Sequence, residues 1–144
     1  MRTKFRAPKY FLCSLTTKAA RRLVAYYNRE LAPLGLTAHQ VLALGVLWRK
    51  EDLSLGRFAR EAGIGKAAAV AMVRRLAAQG LVTRHPHPRD ARLNVLRLTD
   101  KARRLAPRVA ATVSRLEKKV EAALGVSGVE ALTHGLGVIN DLDL

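Results

Sequence analysis

Apolar residues follow a helical period along most of this chain and a two-residue period in one short stretch. Over residues 10–32, Leu12, Leu15, Ala19, Leu23, Tyr26, Tyr27 and Leu31 recur at helical spacing, and Pro33 and Gly35 end the run. Thr37 and Gln40 have the spacing of a capping box, in which each side chain satisfies the other's free backbone N–H. The helix they open reaches about Trp48, with Val41, Leu44, Leu47 and Trp48 as its apolar stripe, and 49–52 reads as a polar loop. A short helix over 54–62 turns Leu55, Phe58 and Ala59 inward, and Gly63-Ile64-Gly65 forms a tight turn in which Gly63 supplies a positive φ. A second helix, 66–79, places Ala69, Met72, Val73 and Leu76 on one face, and Gly80 stops it.

Past Gly80 the period changes. Residues 81–84 and 93–98 read as two short strands. Between them Pro86 and Pro88 exclude a paired strand interior, so 85–92 is expected to be an exposed hairpin loop. Helical spacing resumes from Thr99 to about Leu124, with Leu105, Val109, Val113, Leu116, Val120 and Leu124 on one face, and Pro107 is expected to kink or split it. Ser127 and Glu130 suggest a second capping box, opening a last helix with Val129, Leu132, Leu136 and Ile139 inward. The fold class is therefore mainly α with one small β-hairpin.

The chain has 144 residues and a formal net charge of +15, which makes a polyanion its default partner. The charge is not spread evenly. Residues 57–119 hold sixteen Lys/Arg against four acids, while 120–144 hold Glu121, Glu130, Asp141 and Asp143 and no Lys or Arg. Free use of arginine for other reasons would not leave one end acidic. The single cysteine, Cys13, excludes an internal disulfide. No apolar run is expected to reach membrane-span length, and the basic start at 1–6 has no signal-peptide core behind it. These features suggest a cytoplasmic protein with no membrane partner.

Short helix, glycine turn, longer helix, then strand–basic loop–strand is the order of a winged helix-turn-helix. In that architecture the second helix enters the major groove of double-stranded DNA and the basic hairpin reaches phosphates or a minor groove. The bland alternative is a helical hairpin followed by a β-hairpin, with its arginines simply solvated. The candidate DNA-binding residues are Lys66, Ala67, Ala68, Val70, Ala71, Arg74 and Arg75 on the helix, and Arg84, His87, Arg89, Asp90 and Arg92 in the wing.

The chain resembles the MarR family of transcriptional regulators over nearly its whole length. The resemblance is carried by Leu34-Gly35-Leu36-Thr37 with Gln40, by Arg74-Arg75-Leu76 with Gly80-Leu81-Val82, and by Pro88-Arg89-Asp90-Ala91-Arg92 followed by Leu98-Thr99. It implies a single MarR-like domain over 1–144. The DNA-binding lobe would span 37–98, and the helices at 10–32 and 100–144 would form a dimerisation region. It further implies a homodimer on a pseudo-palindromic operator, usually as a repressor, whose DNA affinity answers to a small ligand or to oxidation. In the wing it implies that Asp90 orients an arginine and that Arg92 reaches the minor groove.

The second helix departs from the family's pattern. Where Ser, Thr and a further Arg are common, this chain has Ala67, Ala68, Val70 and Ala71 after Gly65. Alanine and valine touch thymine methyls but make no bidentate hydrogen bonds to bases, so greater reliance on phosphate charge and DNA shape is expected. An architectural, weakly specific DNA-binding protein on the same fold is the alternative. One branch of the family senses hydroperoxides through a cysteine near the start of the first helix, held by tyrosines. Here that makes Cys13 with Tyr27 a candidate redox sensor, although Thr17, not Tyr, lies four positions on. A buried, inert cysteine is the plainer reading. A small aromatic or phenolic effector is the other candidate signal. His85 and His87 lack the cysteine or carboxylate neighbours of a metal site, and a pH-sensitive phosphate contact suits them better. No cofactor is implied. Nucleophile motifs, paired carboxylates and phosphate-binding glycine loops are missing, which points away from an enzyme.

Overall fold

A computed structural model describes residues 9–143; the basic start at 1–6 and Leu144 lie outside the described residues. Its elements are α1 (Leu12–Leu31), a 3-10 turn (Ala32–Leu34), α2 (Ala38–Arg49), β1 (Leu53–Ser54), α3 (Leu55–Glu61), α4 (Lys66–Ala78), β2 (Val82–His87), β3 (Asp90–Leu98) and α5 (Asp100–Asp141). The chain divides into two compact units, Met1–Arg103 and Arg104–Leu144.

The first unit is built on the expected caps. The Gln40 backbone N–H donates to Thr37 Oγ1 at 3.3 Å and the Thr37 N–H to Gln40 Oε1 at 2.9 Å, closing the capping box. Gln40 Nε2 also donates to Gln79 Oε1 at 2.6 Å, and Gln79 Nε2 to the Gly35 carbonyl at 3.1 Å, so one buried glutamine ties the start of α2 to the end of α4. Gly80, at φ 68°, closes α4 as a left-handed cap: the Leu81 N–H reaches the Leu76 carbonyl at 2.9 Å, and both leucines are buried. Phe58, Leu31, Leu44, Leu47, Leu53, Leu76, Leu81, Val73 and Val95 are the largest fully buried side chains, drawn from all four helices α1–α4, from β1 and β3, and from the turn before β2.

Four expectations are corrected. Residues 53–54, where the expected loop 49–52 meets the expected helix 54–62, form a third strand; the sheet is antiparallel in the order β1-β3-β2, with Leu53 opposite Leu96. The hairpin loop is shorter than 85–92, because β2 runs to His87 and Pro86 pairs with Asn94. Proline is tolerated there because β2 is an edge strand and the register shifts beside it. Nor does Pro107 break α5. The non-helical residue is Gly125 (φ 71°, ψ 165°), and helix resumes before the cap expected at Ser127. Pro107 is exposed and close to the helix start, so water can serve the carbonyl that its missing N–H leaves free.

The fourth concerns membrane-span length. α5 is long and apolar enough by length and composition to cross a membrane, with a mean hydropathy of 1.3 over one 18-residue window. Scattered glycines and Glu130 disguise that average when the sequence is scanned for unbroken runs. Beyond Gly125, Val126, Leu132, Leu136, Val138, Ile139 and Leu142 are all at least 40% exposed.

Candidate nucleic-acid interface

Ser54 caps α3 by accepting from the Arg57 N–H at 3.3 Å, and Gly63, at φ 64°, turns the chain into α4. Gly65 begins α4 without a side-chain cap. Burial of Ala69, Val73 and Leu76 fixes the roll of α4 about its axis. The roll leaves Lys66, Ala67, Ala68, Ala71, Arg74 and Arg75 exposed and Val70 half-buried. Arg74 meets Arg84 of β2 across a groove of 370 Å³ floored by Val70, Val73 and Ala77. Two guanidinium groups on one groove, with no acid among its lining residues, form a slot for an anion.

The wing is pre-arranged. Asp90 Oδ1 accepts from the Arg92 N–H and from Arg92 Nε, each at 3.1 Å, and Asp90 Oδ2 accepts from Nη2 at 3.4 Å. The Arg92 side chain and backbone hold the Asp90 carboxyl below its ordinary value, with a smaller contribution from the His87 charge. His87 pairs with Asp90 and Pro86 with Asn94, so residues 91–93 of β3 have no partner on β2. Arg92 lies in this bulge, its side chain 90% exposed, which is how a bulge re-aims a residue out of a sheet. Nearby, the Arg89 N–H donates to His87 Nδ1 at 3.1 Å, and Thr83 Oγ1 lies 2.8 Å from His85 Nε2.

A second cluster ties the wing's base to the start of α5. Arg103 Nη2 donates to both Glu51 oxygens, at 2.8 and 2.9 Å, and the Leu98 N–H donates to Glu51 Oε2 at 3.2 Å. The Glu51 carboxylate in turn holds the Arg103 guanidinium above its ordinary value. Trp48 Nε1 donates to the Ala102 carbonyl, Lys101 Nζ to the Gln79 carbonyl, and Arg97 pairs with Asp52, which sits at φ 58°. The reading of the sequence missed the Glu51–Arg103 pair. No local signal marks two residues 52 positions apart.

The sensor candidates are placed as follows. Cys13 is exposed and shares a groove of 510 Å³ with Phe11, Ser14, Thr17, Lys18, Arg21 and Arg22. Tyr27 is half-buried fourteen residues further along the same straight helix, about 21 Å away at 1.5 Å per residue. Within one chain the two are not brought together. Among the described residues no group of three or more His, Cys, Asp or Glu is placed to hold a metal ion.

A buried-face helix pair followed by a bulged, arginine-bearing hairpin defines a winged helix-turn-helix protein. The comparisons agree. Residues 34–93 match a family model described as MarR family. A curated relative, the organic hydroperoxide resistance transcriptional regulator of Bacillus subtilis (strain 168), is 30% identical over 89 residues; the match spans 62% of this chain but only 60% of that relative. Among solved structures, the CouR transcriptional repressor bound to a 23-mer DNA duplex is 28% identical, with a TM-score of 0.81 over 94% of this chain and 99% of its own. BpsR of Bordetella bronchiseptica, from work on regulation of its DNA binding by 6-hydroxynicotinic acid, superposes at 0.86 over 96% and 100% of the two chains; at 22% identity it attests the fold. Over residues 34–93 this chain is thus similar to the MarR family.

Proposed function

We propose that this protein is a transcriptional repressor that binds a pseudo-palindromic operator as a homodimer. The observation that carries the reading is the Asp90–Arg92 clamp on the wing bulge, set beside the exposed face of α4. Lys66, Ala67, Ala68, Val70, Ala71, Arg74 and Arg75 face the major groove. Arg84, His87, Arg89 and Arg92 meet phosphates and the minor groove, and Asp90 orients Arg92. The lobe at 37–98 reads DNA, while the helices at 10–32 and 100–144 join two chains through the apolar side chains they leave uncovered, Leu12, Leu15 and Leu23 among them. That seam, and not a membrane, covers the apolar face of α5, because Glu130 and His134 within it would be costly in hydrocarbon. The protein carries out no chemistry of its own and works in the cytoplasm.

A small aromatic or phenolic effector, or oxidation of Cys13, sets the affinity. The distance along α1 means that any Cys13–Tyr27 pairing joins two chains. The test is binding to the protein's own upstream intergenic DNA against a shuffled duplex, across a salt series. A preference of roughly a thousandfold near physiological salt is expected, and Arg92→Ala lowers operator affinity about tenfold. Equal affinity for both duplexes, falling steeply with salt, would favour the architectural reading that the alanines of α4 suggest.

A further inference from the structure

We propose that the operator is read in the major groove through thymine methyl groups, so that each half-site places T·A pairs under the first two turns of α4. This rests on the DNA-binding reading above and names the sequence class that the site takes.

Base edges are met by the N-terminal part of a recognition helix. In α4 that part exposes Lys66, Ala67, Ala68 and Ala71, with Val70 half-buried beside them. Only Lys66 carries a hydrogen-bonding group, and it is a donor, so no side chain there can accept from the amino groups of adenine or cytosine. The next polar side chain, Arg74, lies eight residues on, about 12 Å along the axis and past the first two turns, where it lines a groove with Arg84 of β2. After Lys66, the surface that the first two turns offer to the bases is therefore four small apolar side chains.

The one methyl group on the major-groove edges is the C5 methyl of thymine. An alanine methyl over any other edge strips water from a polar nitrogen or oxygen and returns nothing, so the same face attracts thymine and rejects the other bases. The alanines also make the helix thin. A helix with ordinary side chains nearly fills the groove, whereas one bearing only Cβ atoms settles closer to the base edges. Because the methyl sits on one side of the pair, T·A and A·T are told apart, which gives the site a direction.

The test selects bound duplexes from a randomised 30-base-pair pool with the full-length protein, then rebuilds the selected duplex with uracil in place of thymine. Pairing and backbone are unchanged and only the methyls are lost. Thymines should be enriched in both half-sites, and the uracil duplex should bind about tenfold or more weakly, since each buried methyl is worth about fourfold. Binding to a shuffled duplex should not change with the same replacement. Ala71→Gln, on an exposed helical position, should add a bidentate partner and move the preference at one base toward adenine. A uracil duplex bound within twofold of its thymine parent would overturn the proposal while leaving the operator reading intact. Selection that enriches no sequence would overturn both.

Discussion

Between Leu31 and Leu98 almost every large apolar side chain is covered, with Leu42 and Leu93 the exceptions, while beyond Gly125 every Leu and Ile described, with Val126 and Val138, is exposed. The two regions differ little in how apolar they are; they differ in how much of that surface is covered. The winged-helix lobe closes its core from its own helices and sheet, and ties it with the Gln40–Gln79 and Glu51–Arg103 bonds. The end of α5 has leucines of its own, and among the described residues they stay exposed. One region buries its apolar side chains, and the other leaves them exposed.

This contrast is broken most directly by charging the uncovered face. The pair Leu132→Glu and Leu136→Glu should convert a dimer to monomers in sedimentation and lower operator affinity at least about a hundredfold, since two linked half-sites become one. The lobe's own melting transition should survive. A double variant that still sediments as a dimer would mean that the uncovered leucines are not the seam. Damage to the lobe should behave in the opposite way. Phe58→Ala, at a fully buried position, should cost about 3–5 kcal/mol in urea denaturation.

Smaller effects sharpen the picture inside the lobe. Gln40→Leu should cost about 1–3 kcal/mol by leaving Gln79 Oε1 without its donor, and a loss well below that range would mean that water replaces the bond. The smallest effect is in the wing. Asp90 is held below its ordinary value, so the clamp's contribution is fully present above about pH 3.9, the unfolded-state value, and is lost only as pH falls through the lowered one. In an NMR titration from about pH 2 to pH 6 the carboxyl carbon of Asp90 should show its midpoint below the ordinary value. A midpoint at or above the ordinary value would detach Arg92 from it.

Much of this was legible in the sequence wherever the signal was local. The Thr37–Gln40 box, the turn at Gly63 and the inward face Ala69–Val73–Leu76 each depend on residues within a turn or two of one another. The wing's Asp90 and Arg92 were legible through their two-residue spacing and the family resemblance. What escaped depends on distant partners. β1 is two residues long and becomes a strand only because β3 lies beside it. Glu51 looked like part of a solvated loop, and its meaning comes from Arg103. Pro86 misled in the other direction, since the rule that bars proline from a ladder holds for central strands and β2 is at the edge. The break at Gly125 was legible to within two residues, since one helix was expected to end at about Leu124 and the next to open at Ser127; Pro107 misled, because it sits where an exposed first few turns can absorb it.

That edge position has a consequence for the protein's behaviour in a crowded solution. A hairpin projecting from a fold offers its outer strand to any passing chain as a template for unwanted sheet growth. β2 is a poor template: Pro86 withholds an amide, Pro88 follows immediately after the strand, and Arg84 adds charge. The same residues that suit the wing to a polyanion thus make it a poor seed for aggregation.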